Sequence, residues 1–346
     1  MNPVAQFFCA LQQTWQQVAQ CCPPQAFSYT VGGQGVQCDF AGERLAQRLT
    51  PALAHLCTAA PQSAALRLYG WDSAESGIAL PPLPFPIDEE QVLMDSWGYF
   101  AHDNRFRLFF QPMQQTLYLL DQAQHVAFYW IGDAQQLALT DGGAPLLTLW
   151  HWWATQHGSQ VVHSAAIGTA TGGALLIGKS GSGKSTTALA ALNAGLCYVG
   201  DDYCLVRPSA QPMVYSLFSS GKVHFADLAR FPRLQAARTA LPYTNADKAL
   251  FFFAEPFAQT IVPALPLKMI LLPVINAETH SSLCAISPAQ ALLALAPSTL
   301  FQLVGEKTQT MLQLSRLVRQ LPCFRLSLGA DLAQIPALIA DRLATL

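Results

Sequence analysis

Eight consecutive residues carry the strongest chemical signal in the chain: Gly178-Lys179-Ser180-Gly181-Ser182-Gly183-Lys184-Ser185. They fit the pattern G-x-x-x-x-G-K-[ST] in full. Each residue type has a physical task there. Glycines let the backbone wrap closely around an anion, in conformations that a side chain would forbid. The N–H groups of such a loop converge on phosphate oxygens, and the following helix aims its positive end at the same place. Lys184 adds a mobile cation at the β and γ phosphates, and the Ser185 hydroxyl can ligate Mg²⁺. Thr186 carries the stretch into the helix. The motif predicts that the chain binds a nucleoside triphosphate together with Mg²⁺, with ATP taken as the donor and GTP left open, and it leaves the reaction open.

The flanking sequence supplies the context that such a loop needs. Ala174–Ile177 reads as an apolar strand ending at the loop, and Thr186–Ala194 as a helix closed by Asn193 and Gly195. Leu196–Val199 reads as a strand that runs into Asp201-Asp202. Sixteen residues separate Lys184 from Asp201, room for one short helix, a tight turn and a short strand. Val161–Gly168 reads as one more apolar strand and holds His163. Only the turn Thr169–Gly173 joins it to the strand that feeds the loop, and that hairpin spacing predicts an antiparallel pair. An ordinary phosphate-loop sheet feeds its loop from a parallel core strand. An ABC-type ATPase is excluded by the lack of an LSGGQ-like signature, and a motor ATPase by the lack of a long insertion and an apolar strand ending in Asp-Glu. The loop itself would suit an adenylylsulfate-type small-molecule kinase, but the short spacing to Asp201 and the antiparallel neighbour argue against one.

The rest of the chain divides by character near residue 155. Residues 1–155 read as a small α+β region. It opens with a helix over 3–22 and a hairpin over Phe27–Phe40, then a helical stretch Glu43–Leu56 divided by Pro51, and a short strand Leu66–Tyr69. An extended loop at Pro81–Pro86 leads to a four-stranded meander from Trp97 to Ile131 and a helix over Pro145–Gln156. Residues 156–346 read as the catalytic domain. Beyond the aspartates it alternates strands (Met213–Leu217, Leu250–Phe253, Leu267–Val274, Cys323–Leu328) with helices (Pro288–Ala296, Lys307–Gln320, Pro336–Leu343). Proline suits the first helical position, and Ser287 is placed to cap the first of these helices. The predicted class is α/β with a mixed, partly antiparallel sheet, although the N-terminal strands could equally extend that sheet.

The segment VVHSAAIG, a turn, and then ALLIGKSGSGKSTTALAALNAGLCYVGDDYCLV resembles the catalytic core of the HPr kinase/phosphorylase family. The resemblance covers about 161–206 and rests on His163, Gly178–Ser185 and Asp201-Asp202. It implies a phosphoenolpyruvate-carboxykinase-like fold and phosphorylation of a hydroxyl on a protein or peptide. The family's downstream Glu-x-Arg-Gly-x-Gly signature is absent between 203 and 346. The chain is thus similar to divergent serine kinases of that type, and the missing signature argues against HPr as the substrate and against reverse phosphorolysis.

Within that resemblance, Asp201 is expected to take the proton of the attacking hydroxyl and Asp202 to stand near Mg²⁺ with Ser185. Side chains alternate along a strand, so the order could be swapped. His163 is expected to orient Asp201, although a buried histidine in an apolar strand is as often a core residue. Lys222 is a candidate second phosphate contact and equally a solvated turn lysine, and Lys248 is weighed in the same way; His224, Arg230 and Arg233 are candidates to line a substrate groove, and a solvated face explains them as well. Trp150, Trp152 and Trp153 read as core, and Cys197 and Cys204 lack partners for a metal site.

Composition bounds the remaining choices. The chain has 346 residues, 51% of them apolar, which is enough for a sizeable core. Charged residues are 12%, with 19 basic against 21 acidic side chains and a net charge of −2. No basic stripe suggests nucleic acid. Nine cysteines without a CxxC pair suggest free thiols in a reduced, cytoplasmic protein. No apolar run reaches the ~18 residues of a membrane span. The low charge fits a neutral peptide partner, and the apolar surplus leaves room for a homo-oligomer. Two alternatives stand beside the peptide kinase: a small-molecule P-loop kinase, and a regulator that senses ATP without chemistry.

Overall fold

The computed structural model describes residues 2–60, 63–86, 98–244, 247–276 and 278–346. The chain is mixed α/β, with parallel and antiparallel strand pairs, and divides into two compact units. One gathers Met1–Pro51, Leu56–Trp153 and Pro242–Asn245; the other gathers Ala52–His55, Ala154–Leu241 and Ala246–Leu346.

The first unit is built on a seven-stranded sheet. Helix α1 (Pro3–Cys21) is capped by Asn2, whose side chain accepts from Val4 N. A hairpin of β1 (Pro24–Val31) and β2 (Gln34–Ala41) follows, then α2 (Glu43–Leu49) and a 3-10 turn at Pro51–Leu56, broken where Pro51 requires. β3 (Leu66–Asp72) leads through the single turn α3 (Ser73–Ser76) towards the meander β4 (Tyr99–His102), β5 (Phe106–Gln111), β6 (Thr116–Asp121) and β7 (Val126–Ile131). Trp97, where the meander was expected to open, lies outside the described residues. The strand order is β1-β2-β3-β7-β6-β5-β4, so β3 joins hairpin and meander through two parallel pairings. Phe7, Phe8, Leu11 and Val18 of α1 pack on Leu108, Phe110, Leu119 and Phe128. The unit continues through α4 (Leu139–Gly143) and most of α5 (Leu147–Gln156), whose three tryptophans are buried.

The second unit holds a nine-stranded sheet covered on both faces. Its first strands are β8 (Gln160–His163), β9 (Ala165–Thr169) and β10 (Gly172–Leu176). After the loop come α6 (Lys184–Asn193), β11 (Cys197–Gly200), β12 (Tyr203–Arg207) and β13 (Met213–Tyr215). A separate two-stranded ribbon, β14 (Ser220–His224) and β15 (Lys248–Phe252), precedes the long β16 (Ala264–Ile275). β17 (Ser282–Ile286), α7 (Pro288–Leu300), α8 (Lys307–Gln320), β18 (Cys323–Leu328) and α9 (Gln334–Ala344) complete it. Alternate residues of β9 and β10 go to opposite faces. Ile167, Ala174 and Leu176 meet α6 and α9, whereas Ala166 and Leu175 meet α7 and α8. Burial on both faces explains why these strands read as continuous apolar runs.

The expected hairpin before the loop is present: β9 and β10 are antiparallel, while β10 lies parallel to β16. One expectation needs correction. The run 161–168 is not one strand but two, while the strand expected to end at Asp201-Asp202 does end there and a second strand follows it. β8 pairs with β12, whereas β9 pairs with β10 and β11. The chain changes pairing partner twice, once at His163-Ser164 and once at Asp201-Asp202. Each change interrupts the ladder, so its backbone groups need other partners. His163 N donates to Thr299 Oγ1 at 3.2 Å, and Ser164 O accepts from Cys204 Sγ. The polar residues of the sequence motif thus fall where the sheet changes partner. Pro336 is a smaller correction: it stands third in α9 rather than at its start. Ser287 does cap α7, with Gln290 closing a reciprocal capping box.

Candidate functional site

Gly178–Gly183 turns between β10 and the first residue of α6, giving the strand, loop and helix order that an anion-binding loop needs. Gly178 (φ +132°) and Gly183 (φ +104°) hold left-handed backbone, and a Cβ on Gly183 would run into Leu328. Lys184 is buried and folds back along the loop: its Nζ donates to Gly178 O at 2.7 Å and Lys179 O at 3.2 Å. The N–H groups at the start of α6 have no intrahelical acceptor, as at any helix start, and Lys184, Ser185 and Thr186 line a cleft. Helix α6 stops cleanly at Gly195 (φ +84°), with Leu196 N donating back to Ala191 O. That stop is what returns the chain so promptly to β11 and the aspartates.

The two aspartates face different neighbours. Asp201 is buried, and its Oδ1 accepts from Ser185 Oγ at 3.0 Å and from Asp202 N at 2.9 Å. Its Oδ2 is buried with no hydrogen-bond partner among the described residues. Asp202 has φ +65° and sits at the centre of a three-residue turn closed by Tyr203 N donating to Asp201 O. Left-handed backbone at a non-glycine residue is uncommon and collects at functional sites. The turn swings the Asp202 carboxylate into the cleft, where Oδ2 meets Lys222 Nζ at 2.6 Å.

Burial, reinforced by the neighbouring Asp202, pushes the Asp201 carboxyl up to about 7. Burial acts on Asp202 in the same sense but is outweighed by Lys222, with help from Lys184, and its carboxyl is held below the usual range. His163 is also buried, and burial plus the Lys184 charge lower it to about 4, so the ring is neutral. It lies 5.3 Å, centroid to centroid, from the Tyr203 ring, and Tyr203 donates through its hydroxyl to Gln302 Oε1 at 2.7 Å. Burial lowers the Lys184 ammonium too, against the opposing pull of Asp201 and Asp202.

The cleft, about 320 Å³, brings most of the predicted residues together. His163, Ser180, Gly181, Gly183, Lys184, Ser185, Thr186 and Asp202 line it. Gly178, Lys179, Ser182 and Asp201 stand behind that surface: the first two hold Lys184, and the buried Ser182 Oγ has no partner among the described residues. Lys222, His224, Arg230 and Lys248 also line it, together with Asp227, which the sequence did not single out. Arg233 does not; it donates to Asn193 O at 2.6 Å. No group of three or more His, Cys, Asp and Glu able to hold a metal exists among the described residues. A phosphate-bound Mg²⁺ needs none, because phosphate oxygens and water supply most of its ligands. The unpartnered Asp201 Oδ2 beside Ser185 Oγ suits such an ion.

Lys222 was legible as a second phosphate contact and equally as a turn lysine, because Ser219-Ser220-Gly221 has the composition of a turn. Ser220 and Gly221 instead begin β14, and Gly221 lies close against an aromatic ring. A Cβ on Gly221 would come within 2.7 Å of Phe253, and Phe253 N donates to Ser219 O. The only sequence signal for the strand was the apolar run 250–253, which is its partner.

No helix among the described residues is long and apolar enough to cross a membrane. No protein-family model matches the chain, and no curated protein matches it by sequence. Among solved structures, the Hpr(Ser) kinase/phosphatase from Coxiella burnetii is similar at 11% identity and a TM-score of 0.32, over 54% of this chain and 92% of that one. Similarity of that degree leaves the function to be read from the cleft itself.

Proposed function

We propose that the chain is a Mg²⁺- and ATP-dependent kinase that transfers the γ-phosphoryl group to a serine or other hydroxyl of a protein or peptide. The observation that carries this reading is the pairing of a complete phosphate loop with an aspartate turn, joined by the Ser185 to Asp201 hydrogen bond. A site that only held nucleotide would not need a second, ionised carboxylate aimed into the same cleft.

The chemistry asks mostly for position and charge. The loop N–H groups and Lys184 hold the phosphate chain. Ser185 and Asp201 would hold Mg²⁺, which neutralises developing charge on the phosphates when bound. Asp202 faces the acceptor and takes its proton as the new O–P bond forms and the bond to the leaving ADP breaks. In a loose transition state the hydroxyl becomes acidic only late, so a carboxylate of low basicity suffices. This reverses the order of roles expected from the sequence, where Asp201 was the base. The contacts of Asp201 with Ser185 and of Asp202 with the cleft favour the reverse. Lys222, held at Asp202, adds a second cation on the transferring group. His163, neutral and buried, shapes the wall beside Asp202.

The test is transfer from γ-labelled ATP with Mg²⁺ to a panel of serine peptides and small alcohols, with Lys184→Ala as control. Label on a peptide, lost in the control, supports the reading. Label only on a small alcohol replaces it with a small-molecule kinase. Tight nucleotide binding with no transfer, and indifference to Asp202→Ala, would replace it with a nucleotide sensor.

A further inference from the structure

The chain is poor in charge, yet it concentrates cations at one place. Three of its six lysines, Lys184, Lys222 and Lys248, line the same cleft. Lys184 belongs to the phosphate loop. The other two stand on the ribbon β14–β15, whose register sets them on one face. Lys222 and His224 are two apart on β14, and Lys248 lies directly opposite His224. Residues two apart, and residues directly opposite, share a face of a sheet. The intervening Val223 and its partner Ala249 are buried in the core. The ribbon therefore offers core on one side and, on the other, the basic side chains of Lys222, His224 and Lys248 beside the buried Leu250 that lies opposite Lys222. Arg230, from the 3-10 turn that follows β14, adds a fourth cation.

These basic side chains are not equally committed. Lys222 is held at 2.6 Å by Asp202, Arg230 at 3.3 Å by Asp227, and His224 lies 3.8 Å from Asp247. Lys248 makes no ion pair among the described residues. His224 is 57% and Arg230 46% exposed in the side chain, against 14% for Lys222. The basic face therefore runs outward from the reacting groups towards the rim, where an acceptor enters. The geometry points to an acidic acceptor: a peptide segment whose hydroxyl residue is flanked by carboxylates, which dock on Lys248, His224 and Arg230 while the hydroxyl reaches Asp202. This assignment rests on the kinase reading above, and it replaces the neutral partner suggested by the low overall charge.

The experiment uses the full chain and matched serine peptides with Asp and Glu, Asn and Gln, or Lys at the flanking positions. Binding is read by anisotropy of the labelled peptides with Mg²⁺ and a non-hydrolysable ATP analogue, and turnover is read with Mg-ATP. The expected result is at least tenfold tighter binding and higher kcat/KM for the acidic peptide. Lys248→Glu should abolish or reverse that preference and leave KM for Mg-ATP within about twofold. Equal binding of the three peptides overturns the proposal, whether or not any is phosphorylated. A Lys248→Glu variant that loses Mg-ATP affinity while keeping the acidic preference also overturns it, because the basic face then serves the nucleotide. Failure of the kinase reading is a separate result: acidic peptides bind at the cleft but receive no phosphoryl group.

Discussion

Asp201 and Asp202 are neighbours in sequence with opposite electrostatics, because a single left-handed residue turns one carboxylate inward and the other to the cleft. The mechanism assigns the proton transfer to Asp202. Asp202→Ala should lower kcat by about 10²–10⁴, the usual share of a general base, with nucleotide affinity nearly unchanged. Lys184→Ala should instead weaken nucleotide binding itself, as read by titration with a fluorescent ATP analogue. Burial of Asp201 has a stability consequence. Its folded carboxyl titrates near 7 against 3.8 unfolded, so the folded state keeps a proton that the unfolded state releases between those values. That contribution is full at low pH and is lost as pH rises towards 7. Asp201→Asn should therefore be more stable than the parent at pH 8, by roughly 1–3 kcal/mol, while losing transfer. His55 has the opposite sign. Burial lowers it to about 4, and its Nε2 lies 2.6 Å from Ser216 Oγ. Below about 6.5 the unfolded chain takes up a proton that the folded chain refuses, so stability falls from there towards pH 4. His55→Gln should flatten that slope in urea unfolding.

At the scale of elements, what was legible is what local pattern dictates. The loop, its helix, the hairpin β9–β10, the four-stranded meander and the capping box at Ser287 all follow from spacing and turn chemistry. What was not legible depends on distant partners. A strand that changes pairing partner halfway keeps an unbroken apolar pattern, so the break at His163-Ser164 left no mark except its polar residues, whereas the strand end at Asp201-Asp202 was legible from the acids themselves. β14 was hidden because Gly221 lies close against the ring of Phe253, a contact 32 residues away in sequence. Gly221→Val should therefore overpack the ribbon and cost about 1–3 kcal/mol in chemical denaturation. It should also lower transfer by disturbing Lys222. Ser287→Ala, which removes only the cap of α7, should cost about 0.5–2 kcal/mol and leave transfer intact. The contrast separates loss of stability from loss of the site.

For the whole molecule, composition indicated the size of the core and the change of character near residue 155. It could not show that four residues, Ala52–His55, belong with the second unit, or that Pro242–Asn245 belong with the first. These short exchanges matter energetically. Ala52 O accepts from Ser219 N and Oγ at the start of the basic ribbon, and His55 meets Ser216. A fragment of residues 156–346 lacks those partners, each hydrogen bond being worth about 1 kcal/mol, so it should be more sensitive to limited proteolysis around 216–224 than the full chain. A net charge of −2 also gives no sign that three of the six lysines line one cleft. The most direct test of the central claim is a single-turnover measurement with γ-labelled ATP and an acidic serine peptide, comparing the parent with Asp202→Ala at saturating nucleotide. The account predicts rapid appearance of label on the peptide serine in the parent, and loss of that transfer in the variant with nucleotide still bound. Equal transfer in the two proteins, or bound nucleotide that stays intact in both, would contradict it.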